Sequence, residues 1–265
     1  MGKSSKKFHR IWLLSKFLFK DLTRRRATLL LLFILPAVFI IVILVTTAEY
    51  EDPVVLGILS DETEKMISRQ ALSFVFLGVA AVCFLSSFLA FYLVYGRTEP
   101  DRRLVLCGYR PAEIIVAKMA VLFVIVISIA VYEGLIIRPF FEPMHFERVL
   151  LGIFLGGLVY SCYGLFVGAI SIHELEGIFL IILLANIDVG WLQNPIYYKE
   201  STSRQVIENL PGFFPTQLAL VGAFTDELPW ITIWGSLLYS GIFLAAAITA
   251  FWWRIRSRGK GFVHP

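Results

Sequence analysis

The side chains in this chain that are able to do chemistry are few and far apart. Glu133 and Asp188 stand inside otherwise apolar runs, where a carboxylate is costly and must be paired, placed near the interface or put to use. They are candidate polar groups of a pathway, with structural pairing as the alternative. His173, Glu174 and Glu176 form a small cluster at a tight turn, and His145 stands in a loop with no evident partner. Neither has the spacing of a metal site, and no metal ligand set is expected. Cys83, Cys107 and Cys162 lack ligand spacing too, and their odd number argues against a disulfide framework. The chain has no His-Glu-x-x-His, no Gly-x-Ser-x-Gly and no Gly-x-x-x-x-Gly-Lys, so neither zinc-dependent nor serine hydrolysis nor ATP cleavage is expected of it. Any energy source must sit on another chain. Catalytic residues: none are assigned.

The densest charge lies between two apolar runs. Arg97, Glu99, Asp101, Arg102, Arg103 and Arg110 crowd a segment that also carries Leu104 and Leu106. Pro100 can open a short helix, Gly108 can end it, and Pro111 can begin the next, which carries Glu113 and leads through Lys118 into an apolar run. The pattern predicts a short charged helix held between two spans. A solvated loop is the plainer alternative.

These residues need a membrane scaffold to position them. With 58% hydrophobic and 17% charged residues over 265 positions, and a mean hydropathy of +0.76, the chain is too apolar for a soluble domain. The sequence predicts an all-α integral membrane protein with six spans, at about residues 29–48, 71–95, 118–137, 149–170, 175–192 and 230–253. The uncharged run Leu29–Val45 follows Lys16, Lys20, Arg24, Arg25 and Arg26, and positive charge beside a span favours the cytoplasmic side. Both termini are therefore expected inside. Of the 24 Lys and Arg residues, Lys65, Arg69, Arg138, Arg148, Lys199 and Arg204 alone fall on the outer connections. Basic residues thus sit where topology needs them, and nucleic acid is not an expected partner. The segment ahead of the first run is longer than the n-region of a signal peptide, so cleavage is not expected.

Residues 1–28 are read as a cytoplasmic amphipathic interface helix. Phe8, Ile11, Trp12, Ser15, Leu18, Phe19 and Leu22 recur at helical steps, with Lys6, Arg10, Lys16, Lys20 and Arg24 mostly opposite. Membrane lipid is an expected partner, and Arg10, Trp12, Lys16 and Lys20 are its candidate interface residues. Residues 29–253 are read as a six-helix transmembrane domain, and 254–265 as a basic cytoplasmic tail. The first outer loop is short and acidic, with a strand-like Val54–Leu59. The fourth span is rich in small residues, with Gly152/Gly156 and Gly164/Gly168 at the spacing that allows close helix approach. Before the last span, Pro211, Phe213, Phe214 and Pro215 precede an apolar Ala219–Phe224. This pattern fits short helices that re-enter the outer leaflet; a surface loop is the alternative.

At the charged loop the chain resembles the permease subunits of type-2 ATP-binding-cassette (ABC) exporters, a six-span family. Glu99, Gly108, Pro111, Glu113 and Lys118 match, in order and approximate spacing, the family's marks after span two. The basic amphipathic start, Pro36 inside span one and the Pro-bearing re-entrant stretch extend the resemblance over nearly the whole chain. It implies that Arg97, Glu99, Asp101, Arg102, Arg103, Leu104, Gly108, Arg110 and Glu113 form a coupling helix docked on a cytoplasmic ATPase subunit. It further implies two such ATPases, a second permease copy or paralogue, and a place in the plasma membrane. ATP and magnesium would be bound by the ATPases, and no cofactor by this chain. The transported molecule would be amphipathic or lipid-like: a drug, antibiotic, lipid or peptide. The large first outer domain of some branches is missing here. Two other classes stay open: a membrane-embedded enzyme using Glu133, Asp188 or the His173 cluster, and a non-catalytic scaffold.

Overall fold

A computed structural model describes residues 3–24, 26–58 and 65–259. The chain is almost entirely helical. In order come α1 (Lys3–Arg24), α2 (Arg26–Thr46), a small hairpin of β1 (Glu51–Val54) and β2 (Lys65–Ser68), α3 (Arg69–Tyr95), α4 (Thr98–Leu106), α5 (Pro111–Ile137) and α6 (Phe146–Ile170). Then follow α7 (Glu174–Ala185), which continues as a π-helical segment (Asn186–Leu192), α8 (Pro195–Glu200), α9 (Arg204–Glu208), α10 (Phe213–Phe224) and α11 (Trp230–Gly259).

Among the described residues five helical stretches are long and apolar enough to cross a membrane: Arg69–Tyr95, Pro111–Ile137, Phe146–Ile170, Glu174–Leu192 and Trp230–Arg256. This is the pattern of a multi-pass membrane protein. The apolar part of α2, Leu30–Thr46, is shorter. Pro36 lies inside α2 and offers no N–H to the Leu32 carbonyl, and the next carbonyl, of Phe33, accepts a hydrogen bond from Tyr132 of α5 at 2.9 Å. On α11 the exposed pairs Trp230/Trp234 and Trp252/Trp253 bracket about 27 to 35 Å of helix, close to the ~30 Å of bilayer hydrocarbon between aromatic belts.

Helix α6 is the centre of the bundle, and its glycines explain why. A Cβ at Gly164 would strike the Ser87 carbonyl of α3, and one at Gly152 would lie 2.7 Å from Ala219 of α10. Helix backbones approach that closely only where side chains are missing. Helix α10 is thereby embedded in protein, burying Phe213, Pro215 and Leu218 through Ala223. Pro215 stands in its first turn, where a missing N–H costs nothing. Its far end is held by the α5–α6 connection: Met144 and His145 donate to the Ala223 and Gly222 carbonyls at 3.0 and 2.9 Å.

Several sequence expectations change. The strand falls on Glu51–Val54 rather than Val54–Leu59, in antiparallel register with Lys65–Ser68, and Leu59 lies outside the described residues. Asp52 fixes the hairpin to α3 by a bidentate pair with Arg69, at 2.5 and 3.1 Å, an arrangement between side chains that strand periodicity does not register. Helix α5 runs unbroken from Pro111, so Lys118 lies inside it. Residues 254–259 of the expected tail belong to α11, and residues 260–265 and Arg25 lie outside the described residues. In α1 the packed strip is Ile11, Leu14, Leu18 and Leu22, whereas Phe8, Trp12 and Phe19 stay exposed.

Close α3–α6 contact gives a direct test. Replacing Gly164 by valine should lower the stability of the detergent-solubilised protein by about 1–3 kcal/mol or more through overpacking, read as a lower unfolding midpoint. An unchanged midpoint would mean that the two helices do not touch there.

Candidate functional site

The charged segment folds as its turn residues dictate. Arg97 precedes helix α4, and Glu99 and Asp101 in its first turn and Arg103 in its last match the helix dipole. Gly108 ends it with φ +90°, the one positive φ among the described residues. Gly108 N–H donates to the Val105 carbonyl at 2.9 Å and Tyr109 N–H to that of Leu104 at 3.0 Å, the paired bonds of a Schellman ending. Pro111 then opens α5, and the Glu113 carboxylate accepts from the Arg110 N–H at 3.1 Å.

Helices α1 and α5 hold α4 and its flanks, and α11 braces their surroundings. Asp101 turns inward and pairs with Lys118 of α5. Both are buried, at 2% and 0% exposure, and the Lys118 ammonium also lies 5.5 Å from the Phe251 ring of α11. Burial pushes the Asp101 carboxyl above its ordinary range, and Lys118 opposes that shift. Arg97 pairs with Asp21 of α1. From the same edge of α1, Arg10 donates to the Gly108 carbonyl at 3.1 Å and lies over the Tyr109 ring. Ser15 donates to the Ala117 carbonyl of α5 at 3.2 Å. Arg254 of α11 reaches the Gly168 carbonyl at the end of α6, at 2.7 Å, and lies near Tyr95.

With Asp101 turned in and Leu104 and Val105 packed on the core, the opposite face of α4 is free of the bundle. Glu99, Arg103 and Leu106 follow one another at steps of four and three, and all are exposed, as are Gly108 and Arg110. Leu106 is 80% exposed. The residues that the sequence groups as one contact set therefore divide. Glu99, Arg103, Gly108 and Arg110 face outward; Asp101 and Glu113 are buried, Leu104 and Arg102 are half-buried, and Arg97 is engaged with Asp21. The interface residues of α1 divide as well. Trp12, Lys16 and Lys20 are exposed, with the Lys16 ammonium 5.4 Å from the Trp12 ring, while Arg10 serves α4.

The two intramembrane carboxylates have opposite surroundings. Asp188, in the π segment, accepts from the Tyr160 hydroxyl at 2.6 Å, the Gln193 amide at 2.8 Å and the Gly212 N–H at 2.7 Å. It thus ties α6 and the π segment to the start of α10. Around it, Phe213 packs against Tyr198, and Phe214 against Tyr239; Pro211 immediately precedes Gly212. Tyr160 and Gln193 carry no marker in the sequence, because a lone Tyr or Gln in an apolar run reads as packing. Glu133 is fully buried against Gly78 of α3, and among the described residues neither carboxyl oxygen has a hydrogen-bond partner. His173 caps α7 by donating its N–H to Glu176 at 3.4 Å. His145 lies 3.0 Å from Asp226 and 3.6 Å from Glu147. No group of three or more metal-ligating side chains occurs among the described residues.

No family model matches the chain, and no curated protein matches it.

The buried pair invites a double-variant experiment. Lys118→Ala leaves the Asp101 carboxyl buried without its cation and should cost about 3–5 kcal/mol in denaturation. Adding Asp101→Leu to Lys118→Met should recover most of that loss. A double variant as unstable as the single one would contradict the pairing.

Proposed function

We propose that this chain is the six-span permease subunit of an ABC exporter, in the plasma membrane with both termini cytoplasmic. The observation that carries the reading is helix α4: a short charged helix, tied to α1 and α5, with Glu99, Arg103 and a nearly bare Leu106 on its free face. An apolar side chain ringed by charge suits a protein partner better than water. Here that partner is a cytoplasmic ATPase subunit, one of two, working with a second permease copy or paralogue.

Nucleotide binding draws the ATPases together and pushes on α4. The push reaches α5 through Asp101–Lys118 and α1 through Arg97–Asp21. Transport then requires that the nucleotide favour one arrangement of the spans over the other. Helix α10 and the stretch ahead of it form the re-entrant outer portion, with Asp188, near the end of span five, as its tie rather than as a group that grips cargo. The cargo is amphipathic or lipid-like, because the spans offer few polar groups for a hydrophilic solute.

The double variant Glu99→Ala/Arg103→Ala tests this. Both side chains lie outside the packed core, so the protein should insert and unfold as wild type does, while substrate-stimulated ATPase activity of the reconstituted complex falls at least tenfold. Undiminished stimulation would remove α4 from the coupling path.

A further inference from the structure

Between α1–α2 and α3, at the α4 end of the bundle, lies a cavity of about 420 Å³. Its walls are apolar, built from Leu22, Leu31 and Leu32 on one side and Leu85, Leu89 and Leu93 on the other. Its mouth is charged, carrying Asp21 and Arg97. Along α3 it runs from Gly96 to Leu85, about 16 Å of helix, which is half of the ~30 Å hydrocarbon thickness and hence one leaflet. It opens sideways past Leu31 and Tyr92, which are 61% and 45% exposed. A second cavity of about 330 Å³ shares Leu85 and Phe88 with it and continues to Leu77, beside Asn186 and Gly190 of the π segment. Among the described residues polarity is thus ordered along one axis: the Arg97–Asp21 pair at the mouth, the Tyr92 hydroxyl turned to Glu174 one helical turn further in, then leucine and phenylalanine side chains for the rest of the leaflet's depth.

That order is the order of a phospholipid. The mouth also restricts the headgroup. Arg97 and Asp21 sit side by side with 22% and 43% of their side chains exposed. A phosphate suits the guanidinium, but any headgroup that fits there also meets the Asp21 carboxylate. An amine on the headgroup turns that meeting into an attraction, whereas a purely anionic headgroup sets like charges together.

We propose that this cavity binds one aminophospholipid from the leaflet on the α4 side, its acyl chain between α2 and α3, its phosphate on Arg97 and its ammonium on Asp21. The headgroup then lies where α1 meets α4, and the lipid fastens that junction. The inference does not depend on the exporter reading, since it concerns occupancy alone.

Native mass spectrometry of the full-length protein, delipidated in detergent and titrated with defined lipids, tests it. One phosphatidylethanolamine per chain should be retained at least roughly fivefold more tightly than phosphatidylglycerol, the scale of one exposed ion pair. Asp21→Asn should abolish that preference without abolishing lipid binding. Leu31→Trp, at an exposed wall position, should fill the mouth and reduce retention of both lipids. Equal retention of the two lipids by the wild type, or tighter retention of phosphatidylglycerol, would overturn the headgroup assignment. Retention unchanged in Leu31→Trp, with wild-type unfolding, would overturn the location.

Discussion

A lysine and an aspartate taken out of water together set the arrangement at one end of this bundle. Lys118 and Asp101 are each almost fully buried, and neither is tolerable there without the other, since an uncompensated buried charge costs several kcal/mol. Such a pair adds little net stability compared with two apolar side chains of similar size. What it does is permit one rotational setting of α4: Asp101 inward, and therefore Glu99, Arg103 and Leu106 outward. Arg97–Asp21 and the Arg10 contact to Gly108 extend the same constraint to α1. The free face of α4 is thus a consequence of what its other face must bury.

The rest of the bundle serves as the frame for that end. Glycines let α6 lie against α3 and α10 at backbone distance, which leaves α10 enclosed by protein. Asp188 then closes the frame at the π segment. Three donors meet its two oxygens, and one of them is the Gly212 N–H at the start of α10, where the helix dipole also favours negative charge. Glu133 has no such donors among the described residues, so the two carboxylates, alike in the sequence, have different surroundings.

Local signals in this sequence were legible, and contacts across the chain were not. Gly108 and Pro111 announce an ending and a beginning because their backbone preferences act on neighbouring residues, and both occur in their expected places. The apolar runs read as helices for the same reason. The sequence groups Asp101 with the outward-facing charges because its partner lies 17 residues away on another helix, a separation that no helical periodicity marks. The hairpin's position and pairing are not marked in the sequence because Glu51-Asp52-Pro53 has poor strand propensity, and its anchor, Arg69, lies beyond the second strand. In α1 helical periodicity marks an apolar side and a basic side, and Leu14 does not stand out because the apolar side divides into a strip packed on protein and an exposed aromatic strip.

The proposed function depends on the free face of α4 meeting a cytoplasmic ATPase. A photo-crosslinking residue at Leu106 in the native cell, with mass spectrometry of the adduct, addresses it most directly. The account predicts a dominant adduct with a soluble subunit that carries a phosphate-binding loop, and none from the same residue placed at the buried position Leu122. Adducts only with lipid, or with another copy of this chain, would contradict it.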